Sequence, residues 1–138
     1  MKLNNLLRKG IAEMMGVMIF VTSIIASGLL VATGNPIRNI AIGGTLTLMI
    51  LITATVSGAH LNPAVSLFMF ARKSIDLSTL VVYWVSQLLG AYLGLNLGCI
   101  LTGNPVVANT ATPISLTGPV VGEVLATTVL ILIIVRLS

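Results

Sequence analysis

Four apolar runs, each close to the length of a bilayer crossing, set the first limit on this chain. A spanning helix takes about 20 apolar residues to cover ~30 Å of hydrocarbon. Ile11–Ala32 supplies one, broken only by Glu13 and small polar residues such as Thr22 and Ser23. A Gly34-Asn35-Pro36 turn follows, then a second, slightly short run, Ile40–Val56. Leu77–Thr102 is a third, and Val120–Val135 a fourth, with a neutral loop rich in Thr, Asn and Pro over Gly103–Gly118 between them. Composition decides that these are not buried helices of a soluble domain. Charged residues are 7% of the chain and hydrophobic ones 57%, where a soluble domain carries about 25% charged residues to clothe its surface. Soluble enzyme folds are excluded on that ground. The first run also exceeds the ~7–15 apolar residues of a signal peptide, and no small-x-small cleavage site follows it, so it reads as a retained helix.

The net charge of +4 comes from seven basic and three acidic residues. The basic residues form no stripe for nucleic acid; they sit singly or in pairs at the edges of the apolar runs, which is the pattern of membrane orientation. With a cytoplasmic N-terminus, Lys2, Arg8, Lys9, Arg72, Lys73 and Arg136 fall inside and only Arg38 outside. The single cysteine, Cys99, lies within the third run; it allows no disulfide within the chain and reads as a small apolar group.

Between the second and third runs lies Ser57-Gly58-Ala59-His60-Leu61-Asn62-Pro63-Ala64-Val65-Ser66-Leu67-Phe68-Met69-Phe70-Ala71-Arg72-Lys73. An ordinary cytoplasmic loop is polar; this one is apolar as far as Arg72. Asn62 is a strong helix cap and Pro63 suits the first helical position, so a helix is expected from there to about Arg72, ~15 Å long at 1.5 Å per residue. An extended leg over Ser57–Leu61 covers a similar distance. The chain then re-enters the bilayer to its midplane and returns as a half-helix. Irregular backbone at such a depth is tolerated only where protein buries it or where it lines a watery cavity. The carbonyls of Gly58, Ala59, His60 and Leu61 make a row of acceptors there, leading to a half-helix N-terminus that carries free N–H groups and partial positive charge. Water or a small alcohol fits such a row, and a cation is repelled by its end.

Those nine residues from Ser57 to Val65 resemble the first signature loop of the major intrinsic proteins, the aquaporins and glycerol facilitators. Asn-Pro alone does not carry the likeness, since it recurs at Asn35-Pro36 and Asn104-Pro105 in ordinary turns. Ala12-Glu13-Met14-Met15-Gly16 resembles the family's first-helix Ala-Glu-x-x-Gly, and Gln87-Leu88-Leu89-Gly90-Ala91 its third-helix Gln-x-x-Gly-Ala. Glu123 resembles the acidic residue opening the fourth helix. The resemblance implies an all-α membrane protein of four transmembrane helices plus one re-entrant half-helix, about the first half of the aquaporin-like right-handed bundle. Residues 1–138 then form a single membrane domain. The first of two inverted repeats ends near 103, and the first helix of the second lies at about 118–138. One Asn-Pro-Ala and one half-helix are present, so a complete pore of the family type is not expected from one copy.

The resemblance also implies roles. Gly58, Ala59, His60, Leu61, Asn62, Pro63 and Ala64 line the pore, with the Asn62 amide facing the permeant. Ile42, twenty residues before Asn62, holds the family's second-helix filter position, often aromatic, so water-versus-glycerol selectivity does not transfer. Thr45 and Thr47 nearby either offer hydroxyls or bond back to their own helix. Glu13, Glu123 and Gln87 brace re-entrant loops, although the two intramembrane acids also read as proton carriers or as groups reaching the headgroups, and Gln87 equally as a partner for any neighbouring helix. His60, the only histidine, makes no triad or metal site with Asp76. Gly90, Gly94 and Gly98 permit close helix contact, and Tyr83 and Trp84 read as interface anchors. The function implied is passive passage of water or small uncharged solutes in the plasma membrane, without cofactor or metal, by a homo-oligomer or with a partner channel chain. Two alternatives remain: a non-conducting membrane subunit that joins other channel chains, and an ion- or proton-coupled transporter.

Overall fold

The computed structural model describes residues 2–30, 35–103 and 117–137, all of whose regular structure is helical. Its helices are α1 (Lys2–Leu30), α2 (Pro36–Ser57), α3 (Pro63–Ala71), α4 (Leu77–Thr102) and α5 (Thr117–Leu137). Three contain stretches long and apolar enough to cross a membrane: Leu3–Gly28, Pro36–Ser57 and Leu77–Thr102. The chain is therefore a multi-pass, all-α membrane bundle. It divides into two units, Met1–Val106 and Val107–Ser138. Most of the neutral loop expected over 103–118, residues 104–116, lies outside the described residues, as does Gly34 of the first turn.

Local chemistry sets the helix ends. Asn35 accepts a hydrogen bond from Ile37 N at 3.0 Å and Pro36 occupies the first position of α2. The second span thus starts four residues before Ile40: Asn35-Pro36 caps a helix, just as Asn62-Pro63 does. α1 begins at Lys2 rather than Ile11, because nothing in Lys2–Lys9 stops a helix and Leu3, Leu6 and Leu7 are good helix formers. α2 ends where Gly58 takes a left-handed φ of 89° and returns its N–H to Ala54 O at 3.0 Å. Asp76 caps α4 by accepting from Thr79 N at 2.8 Å.

α1 and α4 pack closely along a line of small residues. A methyl on Gly90 would overlap the Met14 carbonyl, one on Gly94 the Met18 carbonyl, and one on Gly98 would sit 2.7 Å from Ile25 Cβ. Thr22 Oγ1, bonded to its own Met18 O at 2.8 Å, also donates to Gly94 O across the helix pair at 3.1 Å. In lipid such close approach is what holds helices together, since tails are as apolar as leucine and no hydrophobic transfer is gained. On the other side of α1, Val17, Met49 of α2 and Leu61 form the buried cluster, flanked by Val21, Leu46, Ile50 and Ala91. α5, a unit apart, carries a Thr128 hydroxyl bonded back to Val124 O at 2.7 Å and a last-turn Arg136.

Candidate functional site

The connection from α2 to α3 departs from the extended leg expected of it. Ser57 belongs to α2, and of the four residues that follow, Gly58, Ala59 and Leu61 take left-handed φ values of 89°, 52° and 48°. A left-handed conformation costs an L-residue about 1–2 kcal/mol, and Ala59 and Leu61 bear it without glycine's exemption. The compensation is a carboxylate. Successive left- and right-handed residues aim neighbouring N–H groups at one point, an anion-binding concavity, and here the anion is Glu13.

Glu13 is fully buried, at 0% exposure. Its Oε1 accepts from Ser57 Oγ at 2.6 Å and from His60 N at 2.9 Å. Its Oε2 accepts from Leu61 N at 2.6 Å and from Gln87 Nε2 at 2.8 Å. Four donors thus occupy the four acceptor positions of the carboxylate. Charge-assisted bonds of this kind contribute about 1.5–3 kcal/mol each, enough to offset the two strained residues. Leu61 pins the turn from the apolar side: its side chain fills the space over Gly16, where an added methyl would come within 2.5 Å of Cδ2.

Gln87, 2% exposed, gives its amide hydrogens to Glu13 and to Ser66 Oγ, the latter at 3.0 Å. Its Oε1 is buried and accepts no hydrogen bond among the described residues. The His60 ring is buried, with Nδ1 3.1 Å from Ser66 Oγ and an edge-to-face contact with Tyr83 at 4.9 Å between centroids. Tyr83, read from the sequence as an interface anchor, is 1% exposed and donates its hydroxyl to Ser57 O. Trp84 keeps a rim position, 37% exposed, and donates from Nε1 to Pro63 O at 3.0 Å. Tyr83, Trp84 and Ser66 are the members of this network that sequence reasoning missed. Tyr83, Gln87, Gly90 and Gly94 follow helical spacing along one face of α4, and that periodicity was the available signal.

The hydrogen bonds of the turn divide by direction. Gly58 N bonds Ala54 O, Ala59 N bonds Ser57 Oγ at 3.2 Å, and His60 N and Leu61 N bond Glu13. The carbonyls of Gly58, Ala59, His60 and Leu61 accept no hydrogen bond among the described residues. Asn62 Oδ1 accepts from Ala64 N at 2.8 Å, closing the first turn of α3, while Nδ2 donates to nothing described. Pro63 and Ala64 at the helix tip are exposed. Among the described residues the segment therefore presents four unpartnered acceptors followed by an unpartnered amide donor.

Ile42, Thr45 and Thr47 lie elsewhere on α2. Ile42 is half-buried in the second turn of α2, about 22 Å along the helix from Ser57 at 1.5 Å per residue. Thr45 and Thr47 bond back to Ala41 O and Gly43 O, at 2.8 and 2.9 Å. Glu123 belongs to α5, and its side chain lies outside the described residues.

Comparison with known proteins matches residues 1–138 to the family described as Major intrinsic protein. Aquaporin PIP2-7 of Musa acuminata is 39% identical over 57 residues, 41% of this chain and 20% of its own length. Aquaporin PIP1-1 of Musa acuminata is 35% identical over 95 residues, 63% of this chain and 33% of its own. Probable aquaporin TIP1-2 of Oryza sativa subsp. japonica is 32% identical over 110 residues, 72% of this chain and 44% of its own. The chain thus spans less than half the length of these relatives.

Proposed function

The chain belongs to the major intrinsic protein family, whose members are channels and not enzymes, and from that premise we propose that it contributes to passive passage of water or small uncharged solutes across a membrane. The observation that carries this reading is the division of hydrogen bonds at residues 58–61: every N–H has a partner, and four successive carbonyls have none among the described residues. Carbonyls left bare in hydrocarbon cost several kcal/mol each, so at membrane depth they must face water. A permeant exchanges its hydration for these oxygens one at a time and meets the free Asn62 amide at the end of the row. Pro63 and Ala64 shape the tip, Ile42 forms part of an apolar constriction further along, and Glu13 and Gln87 hold the row open from behind.

Depth along the helices supports re-entry. Gln87 lies about 15 Å from the start of α4, where the apolar run also begins, at 1.5 Å per residue, and it bonds the Glu13 carboxylate. The turn is bonded to Glu13, and Gln87 to Glu13 and to Ser66 of α3; α3, nine residues and about 14 Å long, brings the chain back toward the first turn of α4. In this reading α3 is a half-helix, α5 a fourth span opening a second repeat with Glu123 in Glu13's role, and the whole about half of an aquaporin-like right-handed bundle. The first repeat covers about 1–103. The excess of basic residues on one side favours a cytoplasmic N-terminus, and the membrane in this reading is the plasma membrane. Residues 1–138 hold one Asn-Pro-Ala tip, so a full conduit takes a second from a partner channel chain or another segment. Assembly with further copies is part of the same reading.

Vesicles carrying the chain, alone and with a full-length channel of the family, test this by their shrinkage after an osmotic step. Shrinkage faster than empty vesicles or than the partner alone, and lost in Asn62→Asp, is the expected result. The aspartate still caps α3 but sets a carboxylate beside the row. Equal shrinkage with and without the chain would instead favour a non-conducting subunit, and an accompanying pH transient a proton-coupled transporter.

A further inference from the structure

A cleft of about 600 Å³ opens between the second turn of α1, the last turn of α3 and the first turn of α4, and shares no lining residue with the Glu13 network. Lys9 of α1 forms one wall; Phe70 of α3, with Lys73 and Ser74 after it, forms another; Asp76, the cap of α4, and Thr79 within α4 close it. A second cleft of about 210 Å³ shares Lys9, Asp76 and Thr79 and extends along α1 past Asn5. The charge of the first cleft is two ammonium groups to one carboxylate, and that carboxylate is partly engaged: Asp76 Oδ1 accepts from Thr79 N at 2.8 Å. The Thr79 hydrogen bonds also hold the Asp76 carboxyl below its ordinary range. Arg8 and Arg72 stand exposed beside the two lysines in sequence, Arg72 lying over the Phe68 ring at 5.7 Å.

Lys73 gives the cleft a second mark. It takes a left-handed φ of 61°, with its N–H on Phe70 O at 2.8 Å. Glycine is the usual occupant of such a position because a side chain there costs about 1–2 kcal/mol. A strained lysine in a built concavity is a starting point for a functional hypothesis. Anionic headgroups are taken up by basic pockets between membrane helices, and here the apolar edge given by Phe70, Ala71 and Ile75 suits the glycerol and upper acyl carbons beside a phosphate.

We propose that this cleft binds the phosphate headgroup of an anionic phospholipid from the leaflet at that end of the bundle. The site is independent of the pore reading: it needs only that the chain sits in a membrane. Binding is measured on the purified full chain in a zwitterionic detergent, titrated with dioleoylphosphatidylglycerol or dioleoylphosphatidylcholine, by native mass spectrometry and thermal unfolding. Phosphatidylglycerol is expected to bind more tightly and to raise the unfolding midpoint more. Lys9→Gln and Lys73→Gly are each expected to weaken it about fivefold, the worth of one basic residue at an anionic surface. Glycine suits the left-handed position, so Lys73→Gly loses the ammonium without losing the turn. Asp76→Asn keeps the α4 cap and is expected to tighten binding. Equal response to the two lipids, unchanged affinity in both lysine variants, or weakening by Asp76→Asn would overturn the proposal. So would free sn-glycerol 1-phosphate giving the same stabilisation at the same concentration, which would make the ligand a soluble phosphate.

Discussion

Glu13 decides whether the turn at 58–61 exists in this form. Its two oxygens take the N–H groups of His60 and Leu61 together with Ser57 Oγ and Gln87 Nε2. Glu13→Gln turns one oxygen into a donor facing donors and leaves buried N–H groups unpaired, each at about 1–3 kcal/mol. We expect it to lower stability in detergent by about 2–4 kcal/mol in a denaturant titration, and to remove osmotic permeability where the wild type shows it. Ala59 is the opposite case. Its φ of 52° suits glycine, so Ala59→Gly relieves strain of about 1–2 kcal/mol against about 0.5–1 kcal/mol of added unfolded-state entropy. The same titration should find it neutral or up to about 1.5 kcal/mol more stable. A clear loss would show that the left-handed turn is not how the loop is held.

At the scale of the helices, glycine has two meanings, and one measurement separates them. On α4, Gly90 and Gly94 lie against the Met14 and Met18 carbonyls, so a methyl has nowhere to go. Gly94→Ala should push α1 and α4 apart and cost about 1–3 kcal/mol. On α2, a methyl at Gly43 or Gly44 meets nothing within 4 Å, and Gly44→Ala should gain about 0.5–1 kcal/mol from helix propensity in the same unfolding assay. The cap of α4 adds a pH dependence. Asp76's carboxyl is held below its ordinary value by its hydrogen bonds to Thr79. Its stabilising effect is therefore present above the usual aspartate range near pH ~4 and is lost as pH falls through the depressed value. Asp76→Asn, which does not titrate, should flatten that acid limb of the stability profile.

For the molecule as a whole, the long apolar helices were legible because a bilayer crossing imposes a length and a composition together. α4 runs over Leu77–Thr102 as its apolar run does, since Asp76 caps one end and Gly103 closes the other. The end of α1 that carries Lys2, Arg8 and Lys9 was not legible from hydropathy, because a helix continues past its apolar stretch wherever nothing stops it. The left-handed turn was less legible still: Gly58 signals positive φ, whereas Ala59 and Leu61 do so only because a carboxylate forty-odd residues away draws their neighbours' N–H groups. Tyr83 and Trp84 look like interface anchors in any sequence, and only tertiary packing turns them toward Ser57 O and Pro63 O. The central claim is that the tip of α3 lies inside the membrane beside a narrow polar path. It is tested most directly with Ala64→Cys in a Cys99→Ala background, by labelling sealed vesicles with a bulky, membrane-impermeant maleimide alongside Ser74→Cys. Rapid labelling is expected at position 74 from one side and none at position 64 from either. Equally rapid labelling at both would put the segment in open water and contradict it.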